Sequence, residues 1–362
     1  MVFHDPIIAA AVMHDTHYQS MFGVWGPFLM FSALKVVMAI AVLLPMVAYS
    51  VMLERRVSAA IQDRIGPNRV GPFGLLQPLA DGLKSILKED FTPLHVRKAY
   101  FIMAPAISMI PAFLTIAVIP FGSKLGNQSM VIADLNVGIL YTFSVVSLSV
   151  YGIVLAGYAS NSKYPFLGGI RASAQMISYE IAMGMAVIPV FMLVGELNLG
   201  KVIEYQASGA WLVFKQPIAF IIFLVAAFAE TNRLPFDMPE SETELVSGYN
   251  TEYSSMKFAL FFMGEYAAMI SVSALMVVLF FGGWTLPFFG LNETATTFAG
   301  GLIHILVFLS KVAVFMVLFI WIRWMLPRFR YDQLMDLGWK KFLPLALANI
   351  IITATVLWMK HL

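Results

Sequence analysis

The chain has 362 residues, of which 60% are hydrophobic and only 12% are charged. Soluble domains carry about 25% charged residues, so this composition excludes an ordinary soluble domain and indicates an integral membrane protein. The net charge of +2 is too small to favour nucleic acid as a partner. The absence of cysteine excludes disulfides, thiolate zinc sites and iron–sulfur ligation by this chain.

Histidine offers no alternative means of carrying electrons. Of the six histidines, only His304 lies inside an apolar stretch, so no pair of buried histidines is available to hold a haem. We therefore expect the chain to bind no metal and no redox cofactor by itself. The first residues lack a basic segment followed by a cleavage site, so a removable signal peptide is not expected.

Eight apolar stretches approach the ~20 residues that cross a bilayer core. They cover residues 28–53, 99–121, 138–158, 174–195, 210–230, 258–282, 302–324 and 342–360. The sequence thus predicts an all-α integral membrane protein with eight transmembrane helices. Its predicted organisation is an N-terminal periplasmic extension, residues 1–27, followed by one membrane domain, residues 28–362.

Basic residues set the predicted orientation. Seventeen lysines and arginines lie in the loops that follow the odd-numbered stretches, and four lie on the other side. The positive-inside rule places the odd loops in the cytoplasm and both termini in the periplasm.

The first cytoplasmic loop contains an amphipathic segment after Pro78. Its leucines and isoleucines between residues 75 and 89 recur at spacings of three and four, which predicts a helix lying in the membrane interface. Such a helix serves either as a simple anchor or as the lip of an opening toward the lipid.

Acidic residues at the cytoplasmic ends of the stretches are the strongest polar signal. Glu54, Glu180, Glu230 and Glu265 all fall at or within this edge of the membrane. A carboxylate at such a depth is costly unless it is paired, hydrated or neutral. Close carboxyls do not all ionise, so a cluster of them predicts a site that shares protons. The alternative for Glu180 is a structural acid satisfied by Arg171 or a hydroxyl.

The loop before the sixth stretch is also acidic, with Asp237, Glu240, Glu242 and Glu244. Ser241 and Glu244 fit a capping box at a short helix. Glu240 and Glu242 are equally compatible with simple solvation. A lysine inside the seventh stretch, Lys311, either pairs with an acid of the cluster or closes a polar gap near the outer surface.

Three long segments resemble the quinone-chamber membrane subunit of respiratory complex I. They are ERRVSAAIQDRIGPNRVGPFGLLQPLADGLK, RASAQMISYE and AETNRLPFDMPESETELVSGYNTEYSSMKFALFFMGEY. The resemblance covers roughly residues 28–360. It implies a subunit that encloses the quinone cavity together with the peripheral arm and supplies an acidic channel toward the proton-pumping subunits.

The resemblance also implies residue roles. Glu180, Glu230 and Glu265 match the proton path. The residues of this chain that match the quinone cavity and its loop are Glu54, Arg55, Arg56, Arg233, Phe236, Asp237, Glu240, Glu242 and Glu244. The helix after Pro78 matches the border of the quinone entrance, and no catalytic residue is expected in this chain.

Partners and location follow from the same resemblance. The partners implied are the quinone-site subunits of the peripheral arm, small membrane subunits, quinone and the lipid bilayer, with flavin and iron–sulfur clusters in the partner subunits. The location implied is a bacterial inner membrane. Two alternatives remain at this point, the homologous subunit of an energy-converting hydrogenase and an independent proton- or sodium-coupled carrier.

Overall fold

The computed structural model describes residues 21–125, 128–239, 242–287, 290–295 and 297–361. The chain divides at Pro45 into two units, Met1–Pro45 and Met46–Leu362. The described part of the first unit is the start of helix α1, Met21–Ile61. All residues of the candidate site lie in the second unit.

The second unit is built almost entirely from helices. After the end of α1 these are α2 (Gln77–Leu87), α3 (Lys98–Leu114, continued by a 3-10 turn Thr115–Val118), α4 (Gly138–Ala159), α5 (Lys163–Val194), α6 (Leu199–Ala207), α7 (Leu212–Lys215), α8 (Pro217–Glu230), α9 (Glu242–Leu245), α10 (Ser255–Phe280), α11 (Phe298–Met325), α12 (Tyr331–Asp336) and α13 (Leu343–His361). A π-helical segment, Leu337–Phe342, joins the last two. Two strands of two residues each, β1 (Lys124–Leu125) and β2 (Gln128–Ser129), pair antiparallel between α3 and α4.

Seven helices of the described residues are long and apolar enough to cross a membrane. They correspond to seven of the eight predicted stretches, and they make the chain a multi-pass membrane protein. The stretch at 210–230 differs, because Gln216 and Pro217 divide it into α7 and α8, and α8 has only 14 residues. Proline begins α8 because its ring lacks the N–H that would continue the preceding helix.

Two predicted boundaries are wrong. The segment from Lys163, predicted as a loop that enters its helix near residue 174, is helical throughout. Pro165 lies in the first turn of α5, where a missing N–H is tolerated, so nothing breaks the helix. Similarly, α1 continues to Ile61 rather than ending at residue 53.

Helices α3, α4, α5, α8 and α10 pack closely on one another. Gly152 of α4 allows one such approach, because a Cβ there would lie 2.5 Å from the backbone nitrogen of Ser108 in α3. The core between these helices holds small and aromatic residues, such as Ala156, Phe101 and Tyr179, all of them inaccessible to solvent.

The amphipathic helix appears where the sequence predicts it. Helix α2 presents an apolar stripe outward, with Leu79, Leu83, Ile86 and Leu87 between 58% and 75% exposed. Its other face is held by polar contacts to neighbouring helices. The Oγ of Ser255, at the start of α10, donates to the carbonyls of Ser85 and Lys88 at 3.0 and 2.9 Å.

Candidate functional site

The site begins on the buried face of α1. Val47, Ser50, Glu54 and Ser58 repeat at intervals of three and four and are all shielded from solvent. This spacing places them on one side of a helix. The carboxyl of Glu54 is therefore directed into the protein although its neighbours Arg55 and Arg56 are exposed.

Glu54 is the centre of a buried network. Its Oε1 pairs with Arg323 of α11 and lies 3.3 Å from Nη1 of Arg233. Its Oε2 accepts a hydrogen bond of 2.5 Å from the hydroxyl of Tyr266. Three elements that are distant in the sequence thus meet at one carboxylate.

Arg233 connects this carboxylate to a second one. Its Nε lies 2.5 Å from Oε1 of Glu265 in α10, and its guanidinium stacks 4.5 Å above the ring of Tyr266. Burial alone would lower the pKa of Arg233, but Glu265, Tyr266 and Glu54 outweigh it and raise that pKa above its ordinary value. Two carboxylates and two arginines therefore balance one another in the interior.

Gln175 of α5 holds the loop that follows α8 in place. The side-chain amide of Gln175 donates to the carbonyls of Ala229 and Phe236, at 2.8 and 2.7 Å. The ring of Phe236 stacks on Phe329 with centroids 5.4 Å apart. Beside it Asp237 pairs with Arg328 at 2.9 Å, so this loop carries a second ion pair next to the network.

A cavity of about 60 Å³ lies between α3, α4, α8 and α10. Glu230 and Glu265 both line it. Glu230 is only 4% exposed, and neither of its carboxyl oxygens has a hydrogen-bond partner among the described residues. A buried carboxyl without partners is far cheaper neutral than charged. The cavity therefore joins an ion-paired acid to an acid that the protein leaves uncompensated.

Glu180 extends this series toward α4. Its carboxyl is half-buried, accepts a hydrogen bond from Ser147, and interacts electrostatically with Glu230. The described residues place Arg171, considered above as its partner, against Glu244 at 2.6 Å instead. The three predicted proton-path acids therefore lie near one another. Glu265 and Glu230 line the same cavity, and Glu180 interacts electrostatically with Glu230.

Other predicted site residues lie apart from the network. Arg55 pairs with Asp81 of α2 at 2.6 Å, and Arg56 donates to the carbonyl of Phe73. Both arginines thus hold the segment of the amphipathic helix. Glu240 lies outside the described residues, as do the side chain of Glu242 and the predicted capping residue Ser241, although the short helix α9 is present.

Six residues of the site are not predicted from the sequence: Tyr266, Arg323, Arg328, Phe329, Gln175 and Ser147. In the sequence, Arg323 counts only toward the predicted orientation, and no pattern marks Tyr266, which follows Glu265, as a site residue. A polar group within an apolar stretch is the signal that identifies Gln175, because such a group needs a partner. Among the described residues Lys311 pairs with no acid, so the first of its two interpretations is not supported there. It donates to the backbone carbonyls of Phe281, Gly283 and Thr285, which follow α10, and its placement near the outer surface stays a prediction.

Comparison with known proteins gives one consistent result. Residues 34–354 match the family model described as NADH dehydrogenase. The chain is 50% identical to an H-type subunit of NADH-quinone oxidoreductase from Cytophaga hutchinsonii, over 90% of this chain and 96% of that protein. It is 49% identical to the H-type subunit of NADH-quinone oxidoreductase from Rhodospirillum rubrum, over 91% and 96%.

A third relative, an H-type subunit of NADH-quinone oxidoreductase from Geobacter sulfurreducens, is 50% identical over 89% of this chain and 93% of that protein. Similarity of this extent covers every element of the buried network. It also agrees with the resemblance seen in the three long motifs. The chain belongs to the family of H-type subunits of NADH-quinone oxidoreductase.

Proposed function

We propose that this chain is the membrane subunit of a proton-pumping NADH–quinone oxidoreductase. It would form the quinone cavity with the peripheral arm and would link quinone reduction to proton translocation. Near full-length similarity to subunits with quinone oxidoreductase in their names favours this function over an energy-converting hydrogenase subunit or an independent carrier.

The observation that carries the proposal is the series of carboxyls from Glu54 of α1 to Glu180 of α5. Glu54 and Glu265 share Arg233, Glu265 and Glu230 share the cavity, and Glu230 interacts with Glu180. A change of charge at the loop alters the electrostatic free energy of the next acid, because interactions between charges are strong where water is excluded. Protonation changes then pass along the series.

The loop is the element that would respond to quinone. Arg233, Phe236 and Asp237 lie on it, and Glu240, Glu242 and Glu244 follow. Arg233 and Asp237 each have a partner of opposite charge on another element. Negative charge that develops on a reduced headgroup beside the loop would compete with the carboxylates for Arg233 and Arg328. A carboxylate that loses its arginine in this way is then free to take up a proton.

Entry of quinone is assigned to α2. Its outward apolar stripe suits a helix in the membrane interface, and the exposed Arg55 and Arg56 bind the segment to α1. Quinone is the substrate. Flavin and iron–sulfur clusters belong to the partner subunits of the peripheral arm in this proposal, and small membrane subunits are the other partners.

For the membrane topology we propose eight crossings with both termini in the periplasm of a bacterial inner membrane. The fifth crossing would combine α7, Gln216 and α8, which together make 19 residues. At ~1.5 Å per residue these span about 28 Å, close to the ~30 Å of a bilayer core. Residues before 28 would form the periplasmic extension of the single membrane domain.

Membranes that carry Glu265→Gln test the function. We expect the complex to assemble and to transfer electrons from NADH to ferricyanide, because that acceptor is served upstream of quinone. We expect electron transfer from NADH to quinone to be lost, because Arg233 loses one of its two carboxylate partners, the one that lines the cavity. Glu196→Gln, at an exposed position after α5, is the matched control. Normal quinone reduction and proton pumping in Glu265→Gln would contradict the proposal.

A further inference from the structure

The cavity beside Glu265 continues along α10 toward the opposite side of the membrane. The residues of α10 that line it extend from Phe261 to Leu275, a distance of ~21 Å at helical rise. Of this, the part beyond Glu265 is ~15 Å long. Its wall is largely apolar but includes the hydroxyl-bearing residues Ser108, Thr115 and Ser271. Its volume of about 60 Å³ has room for roughly four water molecules.

Beyond Leu275 helix α10 carries no polar side chain up to its end at Phe280. The next five residues of α10 are all apolar and completely buried: Met276, Val277, Val278, Leu279 and Phe280. Val278 and Leu279 follow Leu275 by three and four positions, so they continue the cavity-lining face of the helix. The outer end of the cavity is therefore closed by an apolar segment.

A lysine lies at the far end of this segment. Lys311 of α11 donates from Nζ to the carbonyls of Phe281, Gly283 and Thr285, at 2.7, 2.9 and 2.7 Å. Its ammonium also lies 4.7 Å from the ring centre of Trp211. Three acceptors match the three N–H donors of an ammonium group, whereas a neutral amine has only two. The three carbonyls are thus arranged to accept from a positively charged Lys311.

Gln206 of α6 fixes the same end of α10. Its amide nitrogen donates to the carbonyl of Val278 at 2.8 Å, and its oxygen accepts from the backbone nitrogen of Gly282 at 3.0 Å. The carbonyls in and just after the last turn of α10 are thus bound by side chains from two other helices. These contacts hold Lys311 at the end of the apolar segment.

We propose that Lys311, with the apolar segment Met276–Phe280, is a barrier that prevents protons in the acidic cavity from leaving directly across this subunit. This inference rests on the proposed function, which brings protons to Glu265 and Glu230. A fixed positive charge repels hydronium, and an apolar segment denies it water. Protons loaded on the carboxyls must therefore leave by another route, toward neighbouring subunits, and energy is conserved.

The test measures passive proton leak in the assembled complex, reconstituted in liposomes with valinomycin and potassium to hold the membrane potential at zero. An external acid pulse is applied without NADH, and an internal dye reports the decay of the pH gradient. We expect the decay in Lys311→Met to be at least about tenfold faster than in the wild type, equivalent to lowering the barrier by ~1.4 kcal/mol. Lys311→Arg, which keeps the charge, should remain tight.

Two further variants keep the test decisive. Val278→Thr adds a hydroxyl at almost constant volume inside the apolar segment and should also leak. Lys215→Met removes an exposed lysine that lies 4.5 Å over the ring of Tyr205, and it should behave as the wild type. A leak in Lys311→Met or Val278→Thr supports the barrier. Wild-type tightness in every one of these variants that assembles would overturn it.

Electron transfer from NADH to quinone, measured on the same preparations in detergent, reports the proposed function independently. A tight complex with normal quinone reduction would refute the barrier and leave the function standing. A wild-type complex that is inactive toward quinone would contradict the proposed function, whatever the leak measured in the variants.

Discussion

Two pairs of glutamates in this protein have the same side chain in opposite environments. Glu54 and Glu265 lie against Arg233, and Glu54 also pairs with Arg323. Glu230 has no hydrogen-bond partner in the described part of the chain, and Glu180 has only a serine hydroxyl there. This difference in pairing separates the acids that stabilise the fold through ion pairs from the acids that can change protonation without breaking one.

An ion-paired carboxylate resists protonation, because a proton would leave the buried arginine uncompensated. An unpaired buried carboxyl gains or loses a proton without breaking an ion pair. The first pair thus anchors α1, α10 and α11 around the loop, while in the proposed function the second pair carries the changes of protonation. Glu265 links the two groups, since it both pairs with Arg233 and lines the cavity with Glu230.

The largest effect is expected from Arg233→Gln. This change leaves Glu54 and Glu265 buried together with only Arg323 to compensate them. Removing one partner of a buried pair costs ~3–5 kcal/mol, so the free energy of unfolding should fall by that amount and little complex should assemble. Thermal unfolding of detergent-solubilised complex and the yield of assembled complex measure this.

The control for that change is Arg330→Gln. Arg330 pairs with Asp332 at 3.1 Å, but both side chains are more than 60% exposed. Fully exposed pairs contribute little to stability because water screens their charges, so stability and yield should stay near the wild type. Equal losses in the two variants would break the distinction between buried and exposed pairing.

A different loss is expected from Glu230→Gln. Glutamine has the shape of the neutral carboxyl, and no ion pair is removed, so assembly and ferricyanide reduction should be unchanged. Proton transfer through a positioned side chain contributes ~100-fold or more. Proton pumping driven by NADH oxidation should therefore fall by about 100-fold, as measured by acidification of inverted vesicles.

Glu204→Gln is the matched control for Glu230. Glu204 is exposed and pairs with Lys201 at 2.8 Å in α6, away from the cavity. Pumping at the wild-type rate is expected. If Glu230→Gln pumped normally as well, the unpaired acids would have no part in proton transfer, and the comparison between the two pairs would lose its meaning.

The smallest effect is expected from Arg55→Gln. Arg55 pairs with Asp81 across the start of α2, with side chains 46% and 36% exposed. The free energy of unfolding should change by less than ~1 kcal/mol. The Michaelis constant for quinone should rise nevertheless, because α2 loses one of its attachments at the proposed entrance. A double-mutant cycle with Asp81→Asn separates the pair from other effects of each substitution.

The sequence predicted the elements with strong local signals. Long apolar stretches predicted seven helices that the structure shows, and the spacing of Leu79, Leu83 and Ile86 predicted α2. Boundaries were less accurate, because helical segments continue into polar sequence when nothing breaks them. The start of α5 at Lys163 is one example, and Gln216 with Pro217 is the opposite case, in which a break shortens a predicted crossing.

The site was predicted as a set of acids, without its connections. Glu54, Glu180, Glu230 and Glu265 were found because a carboxylate in an apolar stretch is costly and therefore conspicuous. Their partners Tyr266, Arg323 and Ser147 are ordinary residues at helix edges or in helices, and no local pattern identifies them. Lys311 was conspicuous for the same reason as the acids, but its partners are carbonyls, which every residue has.

The sequence by itself thus determined that the chain crosses a membrane repeatedly, which family it resembles, and which acids need an explanation. These properties depend on the transfer of side chains from water to lipid, and each residue contributes to them separately. Only the tertiary structure decided which acids are paired, where the cavity ends, and what Lys311 binds. Those properties depend on distances between helices far apart in the chain, and the strength of a charge interaction depends on distance and on the exclusion of water.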